Sequence, residues 1–180
     1  MKYRLVALDL DGTLLDSSLQ IRRQTIDALH RIRQQGVQVM IVTGRHHTAT
    51  HAYWHQLGLE LPAICCNGTY LYDFRHRRPL AGNPLTRQEA AELLAIFRKH
   101  PVHAMVYVAD AMVCEKDSPH LDGLRRWSAS LPETIRPRLE FVDSFERLIE
   151  ETETIWKFLA ACEEIQALEA FESAVGAADR

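Results

Sequence analysis

Residues 9–13, Asp-Leu-Asp-Gly-Thr, directly follow the apolar run Tyr3–Leu8, which is typical of a short buried strand. Residues two apart on a strand point to the same face, so we expect Asp9 and Asp11 to project together from the carboxyl end of this strand. Two carboxylates this close repel each other, and a hard divalent cation such as Mg²⁺ compensates them while keeping water ligands beside a phosphate. Glycine and threonine then allow a tight turn whose backbone N–H groups face an anion. Residues 9–13 therefore predict phosphoryl-transfer chemistry.

The same residues allow two other interpretations. Asp, Gly and Thr are ordinary turn residues, so residues 9–13 could form only a solvated turn. The start of a calcium-binding EF-hand loop is the second possibility, but residues 16–20 do not supply the further acidic positions that this loop requires. Ligands bind at the carboxyl ends of strands in α/β sheets, and the motif stands at such an end. Its location therefore favours the catalytic interpretation.

Composition limits the classes of function that the chain can have. Of its 180 residues, 47% are hydrophobic and 25% are charged, which is ordinary for a soluble globular protein. A formal net charge of −3 and the lack of a long basic stripe argue against nucleic acid as a partner. We expect no membrane span, because no apolar stretch reaches ~18 residues, and no signal peptide, because the chain enters a strand at once. The four cysteines lack metal-ligand or disulfide spacing, which predicts a reduced cytoplasmic protein.

The first half of the sequence alternates strands with helices. Apolar spacing near 3.6 residues predicts an amphipathic helix, and short apolar runs predict buried strands. Alternation of this kind is typical of a parallel sheet with right-handed crossovers. The predicted elements after the first strand are a helix at 19–35, a strand at 37–42, a turn at 43–45, a helix at 46–57, a strand at 62–66 and a hairpin turn at 75–78.

The pattern changes near residues 82–84, where Gly-Asn-Pro interrupts it. We therefore expect two domains, residues 1–82 and residues 83–180, joined by a linker at 79–84. The second domain is predicted to be α+β. Its expected elements are a helix at 86–100, a hairpin of strands at 102–108 and 112–115, strands at 139–142 and 155–161, and a helix at 163–175.

Three motifs resemble those of a known family. Residues 9–15 (DLDGTLL) followed by residues 42–45 (VTGR) resemble the haloacid dehalogenase superfamily. The Asn-Gly pair at 67–68 and the α+β insert after the third strand are similar to its Cof-type phosphatases. The resemblance implies an α/β fold: a Rossmannoid parallel sheet, incomplete in this chain, with an α+β cap domain. It also implies an Mg²⁺-dependent phosphoric monoester hydrolase.

The resemblance assigns the chemistry to two carboxylates. Asp9 would attack phosphorus and form an aspartyl-phosphate, which divides hydrolysis into two easier steps. Asp11 would protonate the leaving oxygen and then deprotonate the attacking water. Mg²⁺ would be held by the Asp9 carboxylate and the Asp11 backbone carbonyl. The implied phosphate-binding groups are Asp9, the backbone N–H groups of Leu10 and Asp11, the hydroxyl of Thr43 and the N–H of Gly44.

Several roles remain open on the sequence. Thr43 suits a phosphate contact, but it could instead be the N-cap of the following helix, and the two roles can coexist. Arg45 could reach phosphate or pair with surface carboxylates. The histidines at 46, 47, 51 and 55 are interpreted mostly as residues on the helix surface, with His46 or His47 the better candidates near the substrate. Asn67 and Gly68 are further possible substrate contacts.

The substrate implied is a small phosphorylated metabolite. Residues 43–47, 62–73, 107–113 and 156–158 resemble Cof-type enzymes that act on pyridoxal phosphate, which makes that compound the favoured substrate. A sugar phosphate, or an inactive fragment that only binds a phosphate ligand, is the alternative. The family's late lysine and late acidic pair have no counterpart here, so we expect a C-terminally truncated chain with weak Mg²⁺ affinity, weak activity and an exposed first strand prone to self-association.

Overall fold

A computed structural model describes residues 3–178, which divide into two compact units. The first contains the described residues up to Asn83 together with residues 129–137. The second contains residues 84–128 and the described residues from Arg138 onward. No helix among residues 3–178 is both long enough and apolar enough to cross a membrane.

The first unit is built from a parallel strand pair, an antiparallel sheet and two helices. Its elements are β1 (Leu5–Leu8), α1 (Arg23–Gln34), β2 (Gln38–Ile41), α2 (His47–Gln56), β3 (Ala63–Cys65), β4 (Tyr70–Asp73) and β5 (Arg78–Gly82). β1 pairs with β2 in parallel, from Leu5 opposite Gln38 to Leu8 opposite Ile41. β3, β4 and β5 form an antiparallel sheet, and a parallel bridge from Val42 to Ile64 links β2 to β3. The α/β class is confirmed, but the third strand joins the parallel pair only through this bridge.

α1 starts four residues later than its apolar spacing predicts. Leu19 has a φ of 59°, and Ile21 forms an antiparallel bridge with Leu15. The carboxylate of Asp16 accepts hydrogen bonds from the backbone N–H groups of Ser18 and Gln20 at 2.9 and 3.1 Å. Side chains of this type stabilise turns in competition with helices, so the residues before Arg23 form a loop.

The expectation that the first strand is buried is wrong. Along β1 the side chains alternate between exposed and half-buried, and Leu5 is 47% exposed. Within the described residues β1 pairs only with β2, so its other edge has no neighbouring strand. An apolar edge strand in this state is prone to pair with another chain.

The predicted linker at residues 79–84 is also wrong, because most of it belongs to β5. Pro79 lies opposite Tyr72 of β4, and the register shifts between Leu71 and Tyr72. Proline is tolerated here because β5 is an edge strand, where an absent N–H breaks no ladder hydrogen bond on the outer side. The division between the units falls after Asn83.

The second unit packs helices on one four-stranded sheet. Its elements are α3 (Arg87–Phe97), β6 (His103–Val108), β7 (Met112–Cys114), α4 (Asp122–Ala129), β8 (Leu139–Phe141), α5 (Phe145–Glu151), β9 (Ile155–Ala161) and α6 (Ile165–Ala178). The strand order is β8-β7-β6-β9, in which only β7 and β8 are parallel. The predicted β6–β7 hairpin is confirmed. The core joins Val106 and Val113 of the sheet with Phe97, Phe145 and Phe171 of the helices.

Candidate active site

The end of β1 places two acidic side chains on either side of a buried leucine. Asp9 and Asp11 are both exposed, whereas Leu10 is completely buried and anchors the turn. Gly12 has a φ of 73°, and the N–H of Leu15 donates to the carbonyl of Leu10 at 2.9 Å, which closes a wide turn. β1 ends at Leu8, so the alternation of side chains along a strand does not explain the placement of the two aspartates. The turn around Leu10 explains it instead.

Backbone hydrogen bonds bring the ends of three strands together. The N–H of Val42 donates to the carbonyl of Leu8, and the N–H of Thr43 donates to the carbonyl of Ile64, both at 2.9 Å. The N–H of Asn67 then donates to the carbonyl of Thr43 at 3.1 Å. The turns that follow β1, β2 and β3 therefore lie side by side, where ligands bind in α/β sheets.

Thr43 is buried in the turn after β2, and its hydroxyl accepts the backbone N–H of Arg45 at 3.2 Å. This contact uses the oxygen as an acceptor and leaves the hydroxyl proton available for an anion. His46, rather than Thr43, is the N-cap of α2: its Nδ1 accepts from the N–H of Thr48. Asn67 and Gly68 are exposed at the neighbouring turn, with φ values of 59° and 95°.

Arg45 pairs with Asp11 through two parallel hydrogen bonds. Its Nε donates to Oδ2 and its Nη2 donates to Oδ1, each at 2.7 Å. The hydrogen bonds from Arg45 lower the pKa of Asp11 below its usual range, although partial burial acts in the opposite direction. Asp11 is therefore ionised in this arrangement. The sequence allows phosphate or a surface carboxylate as the partner of Arg45, and in the structure the partner is a carboxylate of the motif itself.

Tyr53 of α2 lies against Arg45 and was missed by sequence reasoning. The guanidinium carbon of Arg45 is 5.3 Å from the centroid of the Tyr53 ring, and the Tyr53 hydroxyl donates to the carbonyl of Leu19 at 3.1 Å. Burial raises the pKa of this hydroxyl. The sequence did hold a signal for placing Tyr53 near the site. Tyr53 lies seven residues after the N-cap His46, and residues seven apart lie on the same face of a helix.

The prediction that most of the histidines at 46, 47, 51 and 55 lie on the helix surface is wrong, whereas a role of His46 or His47 near the substrate stays a prediction. His46 and His47 are buried, at 0% and 4% exposure, whereas His55 is exposed. Tyr72 stacks on the His47 ring with centroids 3.7 Å apart, and Phe74 stacks on His51. Aromatic side chains of β4 and of the turn that follows it therefore cover one side of α2. His46 caps the helix from a buried position and does not present its ring to the solvent.

His47 is hydrogen-bonded to Tyr70. The Tyr70 hydroxyl accepts the backbone N–H of His47 at 2.9 Å and lies 2.9 Å from Nδ1 of the same histidine. Burial, with a smaller contribution from His51, lowers the pKa of His47 to about 3.

Replacing His47 with Gln should reduce the loss of stability in acid. The pKa of His47 is lower in the folded chain than in the unfolded chain, so the unfolded chain takes up the proton first as the pH falls below about 6.5. The contribution of His47 to the free energy of unfolding is fully present above that pH and is lost as the pH falls toward 3. The loss between pH 6.5 and pH 5 is about 2 kcal/mol. Urea unfolding at both pH values measures it. His55→Gln is the matched control on the same helix, and equal acid sensitivity in the two variants would contradict the prediction.

Comparisons with known proteins fit this geometry. A sequence model of haloacid dehalogenase-like hydrolases matches residues 6–178. The chain belongs to the haloacid dehalogenase-like hydrolase family. Pyridoxal phosphate phosphatase YbhA of Escherichia coli (strain K12) is 39% identical over 171 residues, which are 95% of this chain and 63% of that protein. An HMP-PP phosphatase of Yersinia pestis (strain Pestoides F) is 31% identical over 82% of this chain and 57% of its own length.

Solved structures of the haloacid dehalogenase-like family share the fold. A hydrolase of this type from B. subtilis has a TM-score of 0.78 at 22% identity, covering 95% of this chain and 66% of that one. One from Bacteroides thetaiotaomicron has a TM-score of 0.75, also at 22% identity, covering 97% and 63%. The predicted family and fold class are thus confirmed. The chain spans about 60% of the length of YbhA and of the Yersinia pestis HMP-PP phosphatase.

The donor atoms at this family's site are suited to a hard cation, although they are few. Carboxylate and backbone carbonyl oxygens are the ligands that Mg²⁺ uses, usually one or two from the protein with water completing the shell. The exposed carboxylate of Asp9 fits that description. Asp11 has both carboxylate oxygens on Arg45, which leaves its backbone carbonyl as the candidate donor. Within residues 3–178 no group of three or more His, Cys, Asp or Glu side chains is placed to hold a metal.

Proposed function

We propose that this chain carries the nucleophile and the phosphate-binding turns of an Mg²⁺-dependent phosphatase that acts on a small phosphorylated metabolite. The observation that carries the proposal is the convergence of the turns after β1, β2 and β3. The turn of Asp9, whose carboxylate is exposed, and the turn of Thr43 follow neighbouring strands, which supports a shared phosphate site. Hydroxyl and backbone donors before a helix favour an anion, and α2 begins four residues after Thr43.

The proposed reaction has two steps. In the first, an Asp9 oxygen bonds to phosphorus, the ester P–O bond breaks, and the leaving oxygen takes a proton from the carboxyl group of Asp11. In the second, a water oxygen bonds to phosphorus, the bond from phosphorus to Asp9 breaks, and the carboxylate of Asp11 accepts the water proton. The ionised Asp11 of this structure is the form needed for the second step.

Two groups of this chain would hold the metal in this scheme. They are the carboxylate of Asp9 and the backbone carbonyl of Asp11, both oxygen donors. The bound Mg²⁺ supplies positive charge that offsets the negative charge of the phosphate. Thr43 and the backbone N–H groups of Leu10, Asp11 and Gly44 would orient the phosphate oxygens.

Pyridoxal phosphate is the substrate that we favour, because a relative named pyridoxal phosphate phosphatase is 39% identical over 95% of this chain. The HMP-PP phosphatases are related at 31% identity, so a pyrophosphate monoester belongs in the same comparison. We further propose that the second unit is a cap that selects the substrate. Its separate sheet and core support that assignment.

The test is hydrolysis by the 180-residue chain, with and without Mg²⁺. We expect Mg²⁺-dependent release of p-nitrophenol from p-nitrophenyl phosphate, and faster release of phosphate from pyridoxal phosphate than from a sugar phosphate or from HMP-PP. Excess EDTA should abolish the activity. Faster release of phosphate from a sugar phosphate than from pyridoxal phosphate would contradict the favoured substrate.

A second candidate function is a module that binds a phosphate ligand without hydrolysing it. It is favoured by the small number of acidic groups at the site, since the described residues contain no cluster of three metal-ligating side chains. Calorimetry with inorganic phosphate distinguishes the two functions. Binding of phosphate without Mg²⁺-dependent hydrolysis of any tested ester would support the module and reject the enzyme.

A further inference from the structure

We propose that Tyr53 and Arg45 are positioning residues that hold the carboxylate of Asp11 in the orientation for accepting the water proton in the second step. The chemical consequence rests on the function proposed above. The geometric part, a carboxylate fixed by a guanidinium that is itself fixed by a buried ring, stands on the structure of the first unit.

The Arg45–Asp11 pair fixes an exposed carboxylate. Asp11 lies in a turn rather than in a regular element, and its side chain is 54% exposed. Arg45 contacts both of its oxygens at 2.7 Å and is itself only 16% exposed. A bidentate contact specifies the plane of the carboxylate as well as its distance. Arg45 therefore defines which way the carboxylate of Asp11 faces.

Arg45 is held in turn by the groups around it. Its backbone N–H donates to the Thr43 hydroxyl at 3.2 Å, and its carbonyl accepts the N–H of Cys66 at 3.0 Å. Its guanidinium lies 5.3 Å from the ring centroid of Tyr53. A guanidinium over a tyrosine ring is attracted by the negative face of the ring, more strongly when partly desolvated.

Tyr53 is a rigid support because both of its ends are anchored. It is 2% exposed within α2, and its hydroxyl donates to the carbonyl of Leu19 at 3.1 Å. The ring therefore has little freedom to move away from Arg45. The arrangement runs from α2 through Tyr53 and Arg45 to Asp11, and all four belong to the first unit.

The expected kinetic result is a block at the second step. A general base contributes ~10²–10⁴-fold to a proton transfer, and misplacement by about 1 Å can cost ~10²-fold. We therefore expect Arg45→Ala to slow breakdown of the aspartyl-phosphate by about 10²-fold. Its formation from p-nitrophenyl phosphate should change little, because the weakly basic p-nitrophenolate leaves without needing the proton of Asp11. A burst of p-nitrophenol followed by slow turnover, with the acyl-phosphate trapped by acid quench and seen by mass spectrometry, measures both steps.

Four further variants separate positioning from other roles. Arg45→Lys keeps the positive charge but not the planar guanidinium that contacts both oxygens of Asp11, so breakdown of the aspartyl-phosphate should stay slow. Tyr53→Leu removes the ring and should give a smaller burst defect of the same kind. Tyr53→Phe keeps the ring but loses the hydroxyl that anchors it to Leu19, so its defect should be smaller still. Tyr72→Leu, which removes a buried ring that stacks on His47, is the matched control and should leave both steps unchanged.

A measurement without turnover tests the geometry alone. The Nε–H proton of Arg45, held on Asp11, should exchange slowly with water in proton–nitrogen NMR spectra of the wild type. It should exchange rapidly in Asp11→Asn and in Tyr53→Leu. Rapid exchange in the wild type, or slow exchange that survives Tyr53→Leu, would overturn the proposed support.

The two proposals fail in different ways. If the wild type forms no aspartyl-phosphate, the proposed function is wrong, and the NMR spectra still decide whether Tyr53 and Arg45 hold Asp11. If the wild type turns over but Arg45→Ala raises KM and slows aspartyl-phosphate formation instead, Arg45 is a phosphate ligand and the positioning role is rejected.

Discussion

Replacing Asp9 with Asn should abolish hydrolysis of every phosphate ester that the chain acts on. An amide cannot form the aspartyl-phosphate, and loss of a covalent nucleophile typically lowers kcat by ~10⁴-fold or more. Asp9 is exposed at the end of β1, so the fold should tolerate the change, which removes a charge but almost no volume. The kcat for p-nitrophenyl phosphate and the mass of the acid-quenched protein measure the effect together. The mass of one added phosphoryl group should be seen in the wild type and not in Asp9→Asn.

Asp16→Asn is the matched control for this prediction. Asp16 lies in the loop before α1, where its carboxylate accepts hydrogen bonds from Ser18 and Gln20. The substitution makes the same chemical change outside the turns that converge on the site, so turnover should be close to that of the wild type. Near-normal kcat in Asp9→Asn, or equal losses in both variants, would remove Asp9 from the role of nucleophile.

The sequence predicts the convergence of the three turns better than the side-chain contacts within them. Asp9, Thr43 and Asn67 each follow a short apolar run, and parallel neighbours bring the carboxyl ends of their strands to one edge. That inference needs only the order of strands and helices. It holds even though β1 ends at Leu8 and the third strand joins by a single bridge.

The contacts of Arg45 could not be predicted in the same way. Arg45 and Asp11 are 34 residues apart, and a long arginine side chain at the end of a strand can reach several carboxylates. Which one it meets depends on the turn at Leu10 and on the ring of Tyr53 beneath the guanidinium. Both contacts depend on the tertiary structure, which the spacing of residue types in the sequence does not reveal.

The burial of the histidines shows a second limit. Polar residues that recur on a helix indicate a solvated face, which is why most of the histidines at 46, 47, 51 and 55 are predicted on the helix surface. The structure instead covers His46 and His47 with Tyr70 and Tyr72 of β4, whose aromatic rings pack against imidazole and supply a hydrogen-bonding hydroxyl. Histidine is intermediate between buried and exposed residue types, so its neighbours decide its environment.

Replacing Phe145 with Ala should cause a large loss of stability in the second unit. Phe145 is 1% exposed at the start of α5 and packs in the core with Phe97, Val106 and Phe171. Truncating a buried phenylalanine to alanine costs about 3–5 kcal/mol, since the cavity collapses only in part. Whole domains are stable by only about 5–15 kcal/mol, so this loss is a large fraction of the total.

The backbone hydrogen bond at Phe145 should survive this substitution. Its N–H donates to Glu115 at 2.6 Å, and Glu115 also pairs with Arg98. Alanine keeps that N–H, so the expected loss reports the packing of the ring rather than the start of the helix. Phe141→Ala is the matched control: Phe141 is 48% exposed on β8, and its truncation should cost less than ~1 kcal/mol.

Tryptophan fluorescence can restrict the measurement to the second unit. Trp54 belongs to the first unit, whereas Trp127 and Trp156 are buried in the second. In a Trp54→Phe background, the urea midpoint followed by fluorescence therefore reports the unit that contains Phe145. A midpoint that falls equally in Phe141→Ala and Phe145→Ala would show that the ring of Phe145 is not a principal part of this core. A large fall in Phe145→Ala alone would identify the phenylalanine cluster of α3, α5 and α6 as the source of the unit's stability.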